Sequence, residues 1–181
     1  MSSEGKIRVN THYTRSINLE RDADSASVVR AYIPTARATR TLEGMVESFR
    51  AGTASRAWSL VGPYGSGKSS FAVYLAHLLG APNTGATKLA SKSLQATDRV
   101  LAEKLGELTH GSSGYFTVLL TGSPEPLGRR LVQRLAAKAE TVWQGRRGRP
   151  PGIIDKLTSL SLRKEIPTTS EILECVEALQ T

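Results

Sequence analysis

Residues 58–70 read Trp-Ser-Leu-Val-Gly-Pro-Tyr-Gly-Ser-Gly-Lys-Ser-Ser, and no other stretch of the 181-residue chain says as much about its fold. The pattern G-x-x-x-x-G-K-[ST] is met at residues 62–69. An apolar run at 57–61 predicts a buried strand before the pattern, and apolar side chains at 67–79 predict a helix after it. The order of strand, glycine-rich loop and helix is typical of a phosphate-binding loop.

Each residue type in this loop has a chemical role in that prediction. Gly62, Gly65 and Gly67 allow backbone angles that place successive N–H groups around phosphate oxygens, and the helix end adds partial positive charge. Lys68 is the predicted catalytic residue because its ammonium reaches the β- and γ-phosphates, and Ser69 is the predicted magnesium ligand. The predicted ligands are ATP and Mg²⁺. The predicted binding residues are Gly62, Pro63, Tyr64, Gly65, Ser66, Gly67, Lys68, Ser69 and Ser70.

The rest of the chain predicts further elements of an α/β fold. The run 115–120 predicts a second strand, and Thr168–Glu171 matches a capping box that begins the last helix. Apolar periodicity predicts other helices at 35–52, 94–108 and 127–143. We therefore expect a parallel sheet with flanking helices in a domain at 31–181, preceded by a polar arm at 1–30.

An acidic residue to orient magnesium is missing from the expected place. The strand at 115–120 is followed by Thr121 and Gly122, and none of the four aspartates follows a suitable strand. These are Asp22, Asp24, Asp98 and Asp155. We expect this chain alone to hydrolyse ATP slowly or not at all. Either it is a degenerate nucleotide binder, or it is the first part of a longer ATPase. The shortage of strands favours the second explanation.

Residues 58–70, together with 118–123, are similar to the start of large bacterial ATPases linked to DNA modification or phage defence. The order of elements resembles P-loop ATPases of the additional-strand, AAA-like class, and 32–37 looks like the segment that flanks adenine in initiator and helicase-loader ATPases. The resemblance covers about residues 30–140. It implies an ATPase module that works with other subunits of a complex. A P-loop kinase and a non-enzymatic nucleotide- and DNA-binding module are the alternatives.

Positive charge is concentrated in the middle of the chain, whose formal net charge is +8. Residues 111–151 hold seven basic and two acidic side chains, which predicts DNA binding through the basic region 129–149. Residues 146–150 contain R-G-R-P, the core of an AT-hook that lies in an A·T-rich minor groove. The alternative is a solvated surface in an arginine-rich chain.

The cysteine content and the apolar runs bear on the compartment. The single cysteine, Cys175, excludes an internal disulfide and fits a reducing environment. No apolar run is long enough to span a bilayer, and residues 1–6 are not followed by the apolar stretch of a secretory signal. We therefore expect a cytoplasmic protein without a membrane partner.

Overall fold

The computed structural model describes residues 16–51, 57–81, 84–109, 114–144 and 151–179. Within these ranges the regular secondary structure is helical, and no strand occurs. The helices are α1 (Ala26–Ala31), α2 (Ala36–Ala51), α3 (Lys68–Leu79), α4 (Gly85–Thr97), α5 (Arg99–Thr109), α6 (Leu127–Trp143), α7 (Gly152–Leu162) and α8 (Thr169–Ala178). The chain forms two compact units, Met1–Thr117 and Val118–Thr181.

The predicted parallel sheet is therefore wrong. Residues 57–61 are exposed rather than buried, and the Val61 side chain is 92% exposed. In the second predicted strand, the N–H of Tyr115 donates to the carbonyl oxygen of Leu79, at the end of α3, over 2.7 Å. The physical reason is that a strand exists only where its backbone groups pair with a neighbouring strand. The apolar pattern of these runs indicates an extended segment but does not supply that neighbour.

The assignments that depended on the sheet are wrong as well. An all-helical chain in the described ranges does not have the α/β architecture of a P-loop NTPase of the AAA-like class. The prediction of an ATP-binding P-loop ATPase module is overturned by this finding, and the alternatives built on the same module, including the P-loop kinase, are overturned with it. Binding of DNA through residues 129–149 does not depend on a sheet and stays a prediction.

The core of the first unit lies between α1, α3 and α4 on one side, and between α2 and α5 on the other. The Tyr74 side chain of α3 is buried, and its hydroxyl donates to the carbonyl oxygen of Ala90 in α4 over 3.0 Å. Apolar side chains of α2 and α5 are buried where these two helices meet; they are Leu42, Met45, Val46, Leu101 and Leu105. Lys104 and Glu47 form an ion pair of 2.8 Å beside this contact.

The second unit is formed by α6, α7 and α8. Its fully buried side chains are Val132, Leu157 and Cys175, one from each helix. The predicted capping box at the start of α8 is confirmed, because Thr168 and Glu171 exchange side-chain and backbone hydrogen bonds. The Arg163 guanidinium donates two further bonds to the Glu171 carboxylate, of 2.8 and 3.0 Å, and so fixes the segment between α7 and α8.

The helices also bear on the membrane prediction. No helix of the described ranges combines the length and the apolar composition that crossing a bilayer requires.

The predicted boundary between an arm at 1–30 and a domain at 31–181 stays a prediction, and half of that arm, residues 1–15, lies outside the described ranges. The cytoplasmic location also stays a prediction.

Candidate functional site

The glycine-rich loop lies at the amino end of α3, as the sequence predicted. Gly65 and Gly67 have φ angles of +77° and +83°, in the left-handed region that glycine adopts most readily. Gly67 is the residue before the helix, and no side chain caps the helix there. The first N–H groups of a helix have no partner within the helix. The amino end of α3 therefore presents backbone donors and a partial positive charge beside the loop.

Lys68, the first residue of α3, turns its side chain back over this loop. Its ammonium donates to the carbonyl oxygens of Gly62 and Pro63, 2.8 and 2.7 Å away, and approaches the Ser66 hydroxyl at 3.3 Å. An ammonium has three donors. The loop therefore provides an oxygen for each donor of Lys68 and holds the cation next to the amino end of the helix.

The loop forms one wall of a pocket inside the first unit, with a cavity volume of about 560 Å³. Volumes of about 300–1,000 Å³ are typical of sites for small molecules. The opposite wall comes from α1, the segment after it and the first turns of α2. Its described lining residues include Val28, Ala31, Tyr32, Ile33, Arg37, Ala38 and Thr41. The loop side contributes Gly62, Pro63, Gly65, Ser66, Gly67, Lys68 and Ser70.

Tyr32 and Phe71 bring aromatic surface to this pocket. Their ring centroids are 6.4 Å apart, and the Tyr32 ring also lies 4.7 Å from that of Tyr74. Burial raises the pKa of Tyr32 to about 12, so the phenol is neutral at physiological pH and adds no negative charge. The pocket therefore joins an apolar and aromatic part to a part that is rich in backbone donors.

Arg37 places a second cation at the pocket. It belongs to the first turns of α2, and this helix is capped by Thr35, whose hydroxyl accepts the N–H of Ala38 at 3.3 Å. The Arg37 guanidinium has no hydrogen-bonding or ionic partner in the described part of the chain. Two cations, Lys68 and Arg37, and no carboxylate stand among the described lining residues. The electrostatic character of the pocket is therefore positive.

Most of the predicted binding residues line the pocket, and two do not. Tyr64 is 91% exposed, and its hydroxyl shares a 2.5 Å hydrogen bond with Ser16. Ser69, the predicted magnesium ligand, is half-buried in the first turn of α3 and is not among the lining residues described. The roles assigned to these residues stay predictions. Most residues of the wall from α1 and α2 were not predicted from the sequence, because only the packing of these helices brings them opposite the loop.

The residues around the pocket do not form a magnesium site by themselves. Mg²⁺ in proteins is usually bound by one or two carboxylates together with phosphate oxygens and water. The described lining offers hydroxyl groups, such as those of Ser66 and Ser70, but no carboxylate. No cluster of three or more histidine, cysteine, aspartate or glutamate side chains is found in the described ranges. Magnesium therefore stays a prediction that these residues do not support.

Three of the four aspartates have a structural role in the described part of the chain. Asp22 is buried and accepts the N–H of Asn18 over 2.9 Å. Asp98 separates α4 from α5, where a single helix at 94–108 was predicted, and its carboxylate accepts the N–H of Leu101 at 3.0 Å. Asp155 lies in the first turn of α7, where a negative charge stabilises the helix end.

The basic region 129–149 falls partly within the second unit's described helices. Residues 129–143 belong to α6. The segment 146–150, which contains R-G-R-P, lies outside the described residues.

Comparison of the chain with protein-family models, with curated proteins and with solved structures finds no match. The expected membership of an ATPase family therefore has no support from relatives, and the helical fold contradicts it.

Proposed function

We propose that the first unit binds a small phosphorylated molecule in the 560 Å³ pocket between the glycine-rich loop and α1–α2. The observation that carries this proposal is the chemical polarity of the pocket. One part holds the amino end of α3 with Lys68, and the other holds apolar and aromatic side chains. The proposal concerns binding alone. It needs only a loop, a helix and the opposite wall, and it does not require a sheet or a hydrolytic reaction.

The phosphate end of the ligand would lie at the amino end of α3. Gly65 and Gly67 have no side chain, and the space beside them is open, because a Cβ atom added at either position would meet no atom within 4 Å. This open space allows an anion to approach the backbone donors closely. Lys68 adds a full positive charge at the same end. Helix dipole, N–H groups and ammonium all favour a phosphate over a neutral group.

The remainder of the ligand would lie against the wall from α1 and α2. Tyr32 offers part of a ring face, and Ile33 is 75% exposed, so both present apolar surface that a flat or apolar group would cover. The Arg37 guanidinium, which has no partner within the described ranges, is on the same side and would meet a second negative or hydrogen-bond-accepting group. ATP is one molecule of this kind, and it stays the prediction made from the sequence.

Isothermal titration of the full chain with pyrophosphate, ATP and adenosine tests the proposal. Pyrophosphate and ATP bind, whereas adenosine, which lacks phosphate, binds far more weakly. ATP is titrated with and without Mg²⁺. Lys68→Ala weakens the binding of pyrophosphate by roughly 10- to 100-fold, the usual cost of losing a hydrogen bond to a charged group.

The matched control is Lys88→Ala, which removes the same charge from an exposed position on α4 outside the pocket. This variant binds pyrophosphate as the unmodified chain does. Arg37→Gln weakens ATP more than pyrophosphate if Arg37 meets the far end of the ligand. Equal affinity of adenosine and ATP, or equal affinity of the Lys68→Ala and Lys88→Ala variants for pyrophosphate, would overturn the proposal.

A further inference from the structure

The most exposed large hydrophobic side chains of the first unit lie at its pocket. Among the described residues of this unit, Val61 is 92% exposed, Tyr64 91% and Ile33 75%. Val61 and Ile33 line the pocket, and Tyr64 follows Val61 in the glycine-rich loop. The next in exposure is Val100 of α5, which is not among the lining residues described. We call Ile33, Val61 and Tyr64 the apolar rim.

The apolar rim belongs to both walls of the pocket. Val61 and Tyr64 come from the loop side, whereas Ile33 comes from the segment after α1 on the opposite side. A lining side chain that stays three-quarters or more exposed lies where the pocket opens to solvent. Whatever covers the opening therefore removes apolar surface from water on both sides of it, which is favourable.

The two walls that carry the apolar rim are also basic. Residues 26–42 contain three arginines and residues 57–70 contain one lysine, and neither range contains an aspartate or a glutamate. Two of these cations, Arg37 and Lys68, line the pocket. Positive charge and exposed apolar surface thus occur at the same opening. This combination favours a ligand that is anionic at one end and apolar at the other.

A phospholipid combines these two properties in one molecule. We propose that the pocket binds the phosphomonoester headgroup of an anionic phospholipid at a membrane surface, while the apolar rim enters the apolar part of the bilayer. This inference rests on the proposed function, because it uses the same phosphate site at the amino end of α3, and it adds the class of ligand. The expectation of no membrane partner was based on the lack of a spanning run, and a contact with a bilayer surface needs no such run.

The local structure of the apolar rim favours a bilayer over a protein partner. All three residues lie in segments without helix, so their side chains project from loops rather than from a flat helix face. Tyr64 joins an aromatic ring to a polar hydroxyl, a combination that is enriched at membrane interfaces. A protein partner also covers apolar side chains, but it does not by itself bring a phosphate to Lys68.

Cosedimentation of the full chain with lipid vesicles tests the inference. The vesicles consist of phosphatidylcholine alone, of phosphatidylcholine with phosphatidic acid, and of phosphatidylcholine with phosphatidylserine at the same surface charge. The chain binds the phosphatidic acid vesicles most tightly, because only this lipid presents a phosphomonoester, and pyrophosphate competes with them. Lys68→Ala weakens the binding of both pyrophosphate and these vesicles.

The double variant Ile33→Ser/Val61→Ser truncates the apolar rim and leaves every cation in place. Its affinity for phosphatidic acid vesicles falls by roughly 10- to 100-fold, because two side chains lose their burial in the bilayer. Its affinity for pyrophosphate, which has no apolar part, falls far less. The matched control is Val100→Ser/Leu162→Ser, which truncates two exposed side chains outside the pocket and leaves vesicle binding unchanged. Circular dichroism verifies that both variants keep their helices.

The outcomes separate the inference from the proposed function. A chain that does not bind pyrophosphate overturns the proposed function and this inference with it. Binding of pyrophosphate without binding of phosphatidic acid vesicles overturns the inference alone, since the pocket then takes a free phosphorylated molecule. Equal affinity for the two anionic vesicles, or equal vesicle affinity of the two double variants, overturns it as well. Self-association that the rim variant abolishes, without vesicle binding, assigns the rim to a second copy of the chain instead.

Discussion

Lys68 Nζ donates a 2.7 Å hydrogen bond to the carbonyl oxygen of Pro63, so the first side chain of α3 closes back over the loop that precedes it. The same ammonium also bonds the carbonyl oxygen of Gly62 at 2.8 Å. The cation is therefore coordinated by backbone oxygens of the loop. A phosphate that enters the pocket has to replace these carbonyl oxygens, and it does so with a formal negative charge that they lack.

Lys68→Met separates the structural from the binding role of this side chain. We expect it to lower the free energy of unfolding by only about 1 kcal/mol, because exposed hydrogen bonds contribute little net stability. We also expect it to reduce the stabilisation that a given concentration of pyrophosphate gives to the unmodified chain, as a roughly 10- to 100-fold weaker affinity requires. Urea unfolding with and without pyrophosphate measures both effects. If pyrophosphate stabilises the variant as much as the unmodified chain, Lys68 does not contact the ligand.

Replacing a glycine of positive φ by alanine lowers stability through backbone strain alone or through strain together with a steric clash. Gly67→Ala introduces backbone strain alone, since its Cβ would meet no atom within 4 Å, and costs about 1–2 kcal/mol of stability. Gly114→Ala costs more, because its Cβ would also lie 2.2 Å from the carbonyl oxygen of Gly80. Gly85→Ala, in the first turn of α4 with open space around it, serves as the control and is neutral or stabilising.

Thermal or chemical unfolding of the three glycine variants orders them directly. The expected order of stability is Gly85→Ala, then Gly67→Ala, then Gly114→Ala. A Gly114→Ala variant as stable as Gly67→Ala would mean that the close approach of the segment after α5 to the end of α3 does not persist in solution.

Helices were predictable from the sequence where their local signals agree. The capping box at Thr168 and Glu171, and the apolar spacing of α2 and α6, depend on neighbouring residues alone, and the structure confirms them. No helix was predicted at 152–162, where the structure has α7. Proline lacks only a donor that the first helical turn does not use, so a helix begins directly after Pro151.

The strands and the pocket could not be predicted in the same way, because both depend on distant partners. Residues 57–61 have the composition of a buried strand, yet Trp58 lies over Gly44 of α2, and a Cβ at Gly44 would be 3.1 Å from its ring. An apolar pattern predicts that a segment packs against apolar side chains, but it does not indicate whether those side chains belong to a strand or to a helix. Likewise, the loop sequence indicated its donors, whereas the opposite wall of the pocket follows from how α1 and α2 pack.

The core of the second unit depends on Leu157, which is fully buried in α7. Leu157→Ala removes apolar contacts and leaves a cavity, and we expect it to destabilise the protein by about 2–5 kcal/mol. Leu162→Ala is the matched control on the same helix, because this side chain is 80% exposed and its truncation changes stability by about 0.5 kcal/mol or less. Chemical denaturation monitored by circular dichroism compares the two. Equal losses of stability would contradict the packing of α7 against α6 and α8.

Acid should weaken the segment between α7 and α8 through Glu171. Hydrogen bonds from Arg163, and then those from Thr168, lower the pKa of this carboxyl from 4.5 to about 2. The folded protein therefore binds the proton less readily than the unfolded chain does, so the contribution of Glu171 to stability is complete above about pH 4.5 and is lost as the pH falls toward 2.

We expect the free energy of unfolding of the Glu171→Gln variant to lack this part of the decline, because the amide does not titrate. Glu177→Gln, the same charge change on an exposed residue of α8, is the control and keeps the decline of the unmodified chain. Urea unfolding at several pH values between 2 and 6 gives the three profiles (the interval brackets both pKa values). Parallel profiles for the unmodified chain and Glu171→Gln would show that Arg163 and Glu171 are not paired in solution.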